Sequence, residues 1–236
     1  EELRQIGYDT LGFHSNPHLG SNHNYDNGFN RFEDSAEGSD SVATLKDRVE
    51  RRLNNDSILY KILRRVWHYF TISTDTSAYA QAGTISDKAI GWIVNKRSSP
   101  FFMWLHYMDV HYPFTPDKES LSALGIDPLS KRRVADLNAR MQERPKSLND
   151  KDINDLQKLY DGEIRYTDAQ IRSVADTLKE QGILNDTIII VTADHGEAFG
   201  EHGRFGHHPE LYDELLKVPL VIHAPGLQPR RVSQQV

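Results

Sequence analysis

One segment, Thr187-Ile188-Ile189-Ile190-Val191-Thr192, constrains this chain more than any other. Six β-branched residues in a row, apolar through the centre, favour extended backbone and predict a strand. Just before it, Ile153, Leu156, Tyr160, Ile164, Ile171, Val174 and Leu178 recur at three- and four-residue steps. That spacing predicts a long helix over Asp152–Gln181, stopped by Gly182. Asp168 falls along the apolar stripe, where a buried carboxylate would need donors.

The other elements fit the same layered plan. Gln5–His14 reads as a helix end at Gly7 followed by a short strand, and Ser15–Gly28 as a polar loop. Val42–Phe70 is helical and charged, which suits either a solvated face or a surface for an anionic partner. Ser86–Lys96 is a second helix, with Ile90, Ile93 and Val94 on one side and Ser98-Ser99-Pro100 as its stop. Phe101–Tyr107 is short, apolar and aromatic, and predicts a strand buried on both faces. Asp117–Asn149 is a polar insertion of weak helical character, and Val218–His223 is another strand. Strands alternating with long helices imply an α/β sheet with helices on both faces.

Composition removes several classes. The 236 residues carry 28 Lys and Arg against 34 Asp and Glu, a formal charge of -6, which argues against broad nucleic-acid binding. The longest apolar runs, Phe101–Leu105 and Ile188–Val191, fall far short of the roughly 18 residues of a membrane span. With no Cys there is no disulfide scaffold, thiolate zinc site or cysteine nucleophile. No signal peptide is visible. The length suits one large domain or two small ones, and there is no internal repeat.

Chemistry is expected just past the carboxyl ends of strands. After Val191 the chain reads TADHGEAFGEHGRFGHH, and after Leu105 it reads HYMDVHYP. If the two strands are neighbours, a carboxylate and several imidazoles meet at one sheet edge. Asp194 and His195 offer a hard oxygen and a nitrogen beside the flexible Gly196, a divalent-metal corner or an Asx-capped turn. His111 before Tyr-Pro could bind an anion or protonate a leaving group, or be an ordinary loop histidine. His207 and His208 carry the same ambiguity, and spacing does not say which faces the site. Glu201-His202 is no H-E-x-x-H helix, because Gly196, Gly200 and Gly203 interrupt it. No phosphate loop or G-x-S-x-G elbow is present.

At these residues the chain resembles the sulfatase family, within the alkaline-phosphatase-like superfamily. The matching blocks are GYDTLGFHSNPHL and YDNGFNRFED (Gly7–Asp34), PFFMWLHYMDVHYPF (Pro100–Phe114) and YDGEIRYTDAQIRSVADTL (Tyr160–Leu178). The last block runs from Thr187 to Gly226 and contains DHGE, GEHG, YDE and VPLVI in family order. The resemblance implies a three-layer α/β/α sandwich, incomplete at both ends, with residues 1–236 part of a single catalytic domain. It implies hydrolysis of sulfate esters of small molecules or carbohydrates, with a calcium-type divalent metal and a formylglycine nucleophile. An imidazole ligand by itself would lean toward Mn2+ or Zn2+ rather than Ca2+.

By position in the family pattern, Asp194 and His195 match metal ligands and His111 the active-site histidine. His207 matches the basic residue ahead of the YDE block, with His208 as the alternative on the substrate side. Two family features have no counterpart: a first pair of Asp ligands and the C/S-x-P-x-R nucleophile motif. Ser15-Asn16-Pro17-His18 comes closest and lacks the Arg. The expectation is therefore an internal stretch of a sulfatase whose nucleophile lies outside this chain, and which alone does not turn over a sulfate ester. The insertion, with Lys131, Arg132, Arg133, Arg140 and Arg144, is a candidate substrate-side lid or a solvated excursion. The competing readings are a phosphodiesterase or phosphonate monoester hydrolase of the same superfamily and a non-catalytic binding homologue.

Overall fold

The computed structural model of the chain describes residues 1–35, 79–95 and 100–233; the charged segment Val42–Phe70 lies outside them. After a single helical turn, α1 (Glu2–Gln5), Gly7 turns the chain at φ +93° into β1 (Asp9–His14). β1 is the centre of a parallel sheet, between β2 (Arg31–Asp34) and β3 (Phe101–Leu105). Leu11 lies opposite both Arg31 and Met103 in the register.

The two-residue alternation of β1 separates its environments. Leu11 and Phe13 point into a core with Ile85, Trp92 and Ile93 of α2 (Ala82–Asn95) and Leu178 of α5 (Asp150–Glu180). The opposite face is aromatic. Phe29, Phe32 and Trp104 form a ring cluster over Gly12, and a Cβ on Gly12 would come within 2.5 Å of the Phe32 ring. Helix α5 starts with a reciprocal capping box between Asn149 and Asp152, two residues before the predicted boundary. Asp168 is not part of its buried stripe: it is solvent-exposed and 3.8 Å from Arg165, because the helix face turns outward at the Thr167–Asp168 gap.

The predicted insertion is built into the molecule. It folds as α3 (Lys118–Ala123) and α4 (Lys131–Glu143), N-capped by Asp117 and Ser130. Leu121, Leu137 and Met141 close a second core with Phe114, Leu156, Leu159 and Phe199. Arg133 turns inward to Asp152 (2.6 Å) and Asp155 (2.7 Å), and Arg140 to Asp152 (2.7 Å). These two guanidiniums are committed to structural ion pairs.

One strand differs from expectation in burial. Phe102 of β3 is exposed, so that strand is covered on one face only. β4 (Ile189–Thr192) pairs antiparallel with β7 (Leu220–His223). Ile189 reaches the first core, but Ile188 and Ile190 are 64% and 61% exposed. Among the described residues β4 is not hydrogen-bonded to β3. Between β4 and β7 lie a short hairpin, β5 (Ala198–Phe199) with β6 (Phe205–Gly206), and α6 (Asp213–Leu216). No described helix is long and apolar enough to cross a membrane.

Candidate functional site

The loop after β3 is fixed at both ends. The His106 amide donates to the Phe13 carbonyl (3.0 Å), extending the β1 ladder. Further on, Asn138 takes the Phe114 N–H and returns a bond to the Phe114 carbonyl (2.8 and 2.9 Å), while Glu163 takes the Thr115 N–H (2.6 Å). Between these anchors Val110 sits at φ +74°, an unfavourable region for a β-branched residue. That turn delivers His111, whose Nδ1 donates to the Tyr112 carbonyl (2.6 Å), leaving Nε2 as an acceptor.

The corner after β4 has a matching logic. Gly196 donates its N–H to the Leu215 carbonyl (2.8 Å), and a Cβ there would stand 2.0 Å from the Glu214 carbonyl oxygen. Only glycine fits against α6. His195 directs Nδ1 to the Gly196 carbonyl (2.8 Å), which frees its Nε2 lone pair, and Asp194 accepts the His195 amide (3.1 Å) with one oxygen. The β5–β6 hairpin then carries Glu197 and His207 on adjacent arms. The Glu197 carboxylate is 4% exposed, and its Oε2 lies 3.3 Å from His207 Nδ1.

These pieces converge although β3 and β4 belong to different sheets. His207 stacks on His195 at 4.3 Å between ring centroids and meets His111 at 4.9 Å; Tyr79 stands edge-on to His111 at 5.8 Å. His106, at the end of β3, lies close enough to feel the Asp194 charge. His208 is exposed and its ring joins none of these contacts. Ser15, in the nearest approach to a nucleophile motif, is fully buried with its hydroxyl donating to the Ala80 carbonyl (3.1 Å), so it is not placed to attack anything.

The two central histidines are pushed in opposite directions. The Glu197 hydrogen bond raises the pKa of His207, and burial lowers that of His111. Two imidazoles whose proton affinities are pushed apart thus sit side by side, a pairing suited to acid and base roles. For a metal, Asp194 offers its second oxygen and His195 its Nε2, oriented by the Gly196 carbonyl as a ligating imidazole requires. Among the described residues no group of three or more acidic or imidazole side chains converges on one ion, so these two fit as part of a shell. Sequence reasoning did not assign Glu197 or Glu163. Their positions in DHGE and on the α5 stripe were visible, but their partners come only from folding.

The Sulfatase family model matches residues 1–236, the whole chain. The chain belongs to the sulfatase family. Among curated relatives, this sulfatase chain is 27% identical over 153 residues to "Arylsulfatase" of Clostridium perfringens, covering 57% of the chain and 32% of the relative. It is 28% identical over 151 residues to "Iduronate 2-sulfatase" of Mus musculus, covering 55% and 27%. The chain thus matches about a third of the length of these relatives. Among solved structures, the phosphonate monoester hydrolase SpPMH of Silicibacter pomeroyi superposes with a TM-score of 0.57 at 20% identity, covering 97% of this chain and 52% of the other. That likeness shows the fold alone, a mixed α/β architecture.

Proposed function

We propose that the protein carrying this sulfatase chain hydrolyses sulfate esters, with sulfated carbohydrates as the substrate class. One observation supports this above others: His207 stacks on His195 and meets the tilted ring of His111 on its other side, with the buried Glu197 carboxylate behind it. The iduronate sulfatase relative supports a sugar substrate.

In this reading Asp194 and His195 help hold a divalent cation, Ca2+ by family resemblance, with Mn2+ or Zn2+ as alternatives. When bound, the cation supplies Lewis-acid polarisation and neutralises oxyanion charge. Glu197 accepts a hydrogen bond from His207 Nδ1, which favours the protonated ring and leaves Nε2–H free to act outward. From there it binds a sulfate oxygen and delivers a proton to the departing ester oxygen. His111, neutral and with Nε2 as acceptor, takes a proton from the attacking group. The formylglycine implied by the family lies outside these 236 residues, which contain neither Cys nor S-x-P-x-R.

The test is hydrolysis of p-nitrophenyl sulfate by the full-length protein, beside p-nitrophenyl phosphate and a phosphonate monoester. His207→Gln should lower kcat on the sulfate by about 10²–10⁴. A higher kcat/KM on the phosphonate would replace the sulfatase reading with the hydrolase alternative. Unchanged kcat in His207→Gln would remove the proposed acid. The 236-residue chain alone is expected to be inactive.

A further inference from the structure

The mechanism above leaves unused an acid-lined hollow behind His111. A cavity of about 80 Å³ opens between the β3 loop, the approach to α2 and the middle of α5. Its walls include Asp109, Asp117, Glu163, Tyr79, Tyr166 and the His111 ring, and among the described residues no lysine or arginine lines it. A single water needs only about 10–15 Å³ by such a measure, so a larger group fits.

The three carboxylates differ in how their charge is answered. Asp117 is occupied as the cap of α3, accepting the amide and hydroxyl of Ser120 (2.7 and 3.1 Å). Glu163 is 6% exposed and takes the Thr115 N–H, and no cation among the described residues pairs with it. Asp109 receives main-chain N–H groups of its own residue and Ala82, but its Oδ2 is fully buried without a hydrogen-bond partner. Burial pushes the Asp109 carboxyl up to about 6 and, with the charges of Asp109 and Asp117 adding, the Glu163 carboxyl up to about 8. Glu163 is thus held neutral near pH 7, and a cation placed beside it would favour its ionised form; perturbed acids of this kind gather at binding sites.

The missing partner is a cation, and the walls indicate its kind. A primary ammonium carries three N–H donors, matching the acceptor-rich wall. Met108 and Pro116 supply apolar surface for its carbon stem. His111 is common to both regions: it meets His207 at 4.9 Å and also lines the cavity.

We propose that this cavity is a subsite for a protonated primary amine of the substrate, held by Asp109 and Glu163 while the sulfate ester lies against His207 on the other side of His111. It rests on the sulfatase reading and narrows the substrate to amino-bearing sulfate esters, such as sulfated amino sugars.

The test uses the full-length protein and two readouts. Saturation-transfer NMR with propylammonium reports the subsite without any turnover. Kinetics compare glucosamine 6-sulfate with glucose 6-sulfate, which differ by one ammonium group. Expected are a propylammonium signal that Glu163→Gln and Asp109→Asn each abolish, and a kcat/KM preference for the amino sugar of at least tenfold. That preference should fall below about threefold in either variant. Absence of a propylammonium signal, a signal unchanged in both variants, or equal kcat/KM for the two sugars overturns the subsite, even if p-nitrophenyl sulfate is still cleaved. Propylammonium binding without cleavage of any sulfate ester overturns the functional reading instead, and with it the assignment of the amine to a sulfate substrate.

Discussion

Glu163 gives a sharp test of the electrostatics in this structure. Its carboxyl is 6% exposed and held protonated up to about pH 8 by burial, against an ordinary value of 4.5. The unfolded chain releases that proton near 4.5 and the folded chain only near 8. Stability from this group is therefore full below pH 4.5 and declines as pH rises toward 8. At about 1.36 kcal/mol per pH unit, the whole interval corresponds to at most about 5 kcal/mol, of which about 3 falls between pH 5 and 8. Glu163→Gln keeps an oxygen for the Thr115 N–H and removes the titration. Paired thermal melts of variant and parent from pH 5 to 8.5 isolate the effect. The glutamine form should match the parent near pH 5 and melt about 5–10 °C higher by pH 8. A difference in Tm that stays constant with pH would show that the folded protein does not hold this proton, and would refute the reasoning.

Three further outcomes follow from the packing and the ion pairs. Gly196→Ala drives a methyl group into the Glu214 carbonyl, so it should displace the Asp194–His195 corner and weaken divalent-metal binding at least tenfold by calorimetry. Asp152→Asn loosens Arg133 and Arg140 and should cost about 1–3 kcal/mol in urea melts at pH 7. Because the Asn149 amide and the two guanidiniums hold Asp152 well below the usual carboxylate range, that penalty is present above about pH 4 and shrinks as pH falls further. Phe114→Ala, at a site with no exposed surface, should cost about 3–5 kcal/mol by the same measurement.

What the sequence disclosed tracks the range of each interaction. The β-branched run before Asp194 and the stripe of α5 are local signals, and both elements form within about two residues of their predicted bounds. How the insertion packs was hidden for a physical reason: the buried apolar residues of α3 and α4 are few, Leu121, Leu137 and Met141, amid many charges. Two of those charges, on Arg133 and Arg140, face inward to α5 rather than toward solvent or an anion. Which of His207 and His208 faces the cluster was undecidable from spacing. The answer depends on the β5–β6 register, which sets His207 beside the buried Glu197. The same register hid the role of Glu197, since an acid in a Gly-rich stretch carries no periodic signal.

The histidine array owes its geometry to apolar packing as much as to hydrogen bonds. Phe114 lies three residues after His111, and Phe199 two residues after Glu197. Their rings are 5.8 Å apart, and Tyr160 of α5 meets them at 5.4 and 5.2 Å, edge-on to both. This trio, with both phenylalanines buried and Tyr160 partly so, bolts the β3 loop to the hairpin through the long helix, and among the described residues no hydrogen-bonded strand pair joins β3 to β4 to share the load. The contacts of His207 are a stacking on His195 and a tilted ring contact with His111, with no direct hydrogen bond among the described residues to fix the separation. Their spacing therefore follows the rigid aromatic joint beneath them. Emptying that joint would let the two arms drift by the width of a methyl group or more, and displacements of about 1 Å can cost a site of this kind about 10²-fold in rate. A purely apolar substitution beneath the cluster is thus expected to impair proton delivery even where every imidazole is retained.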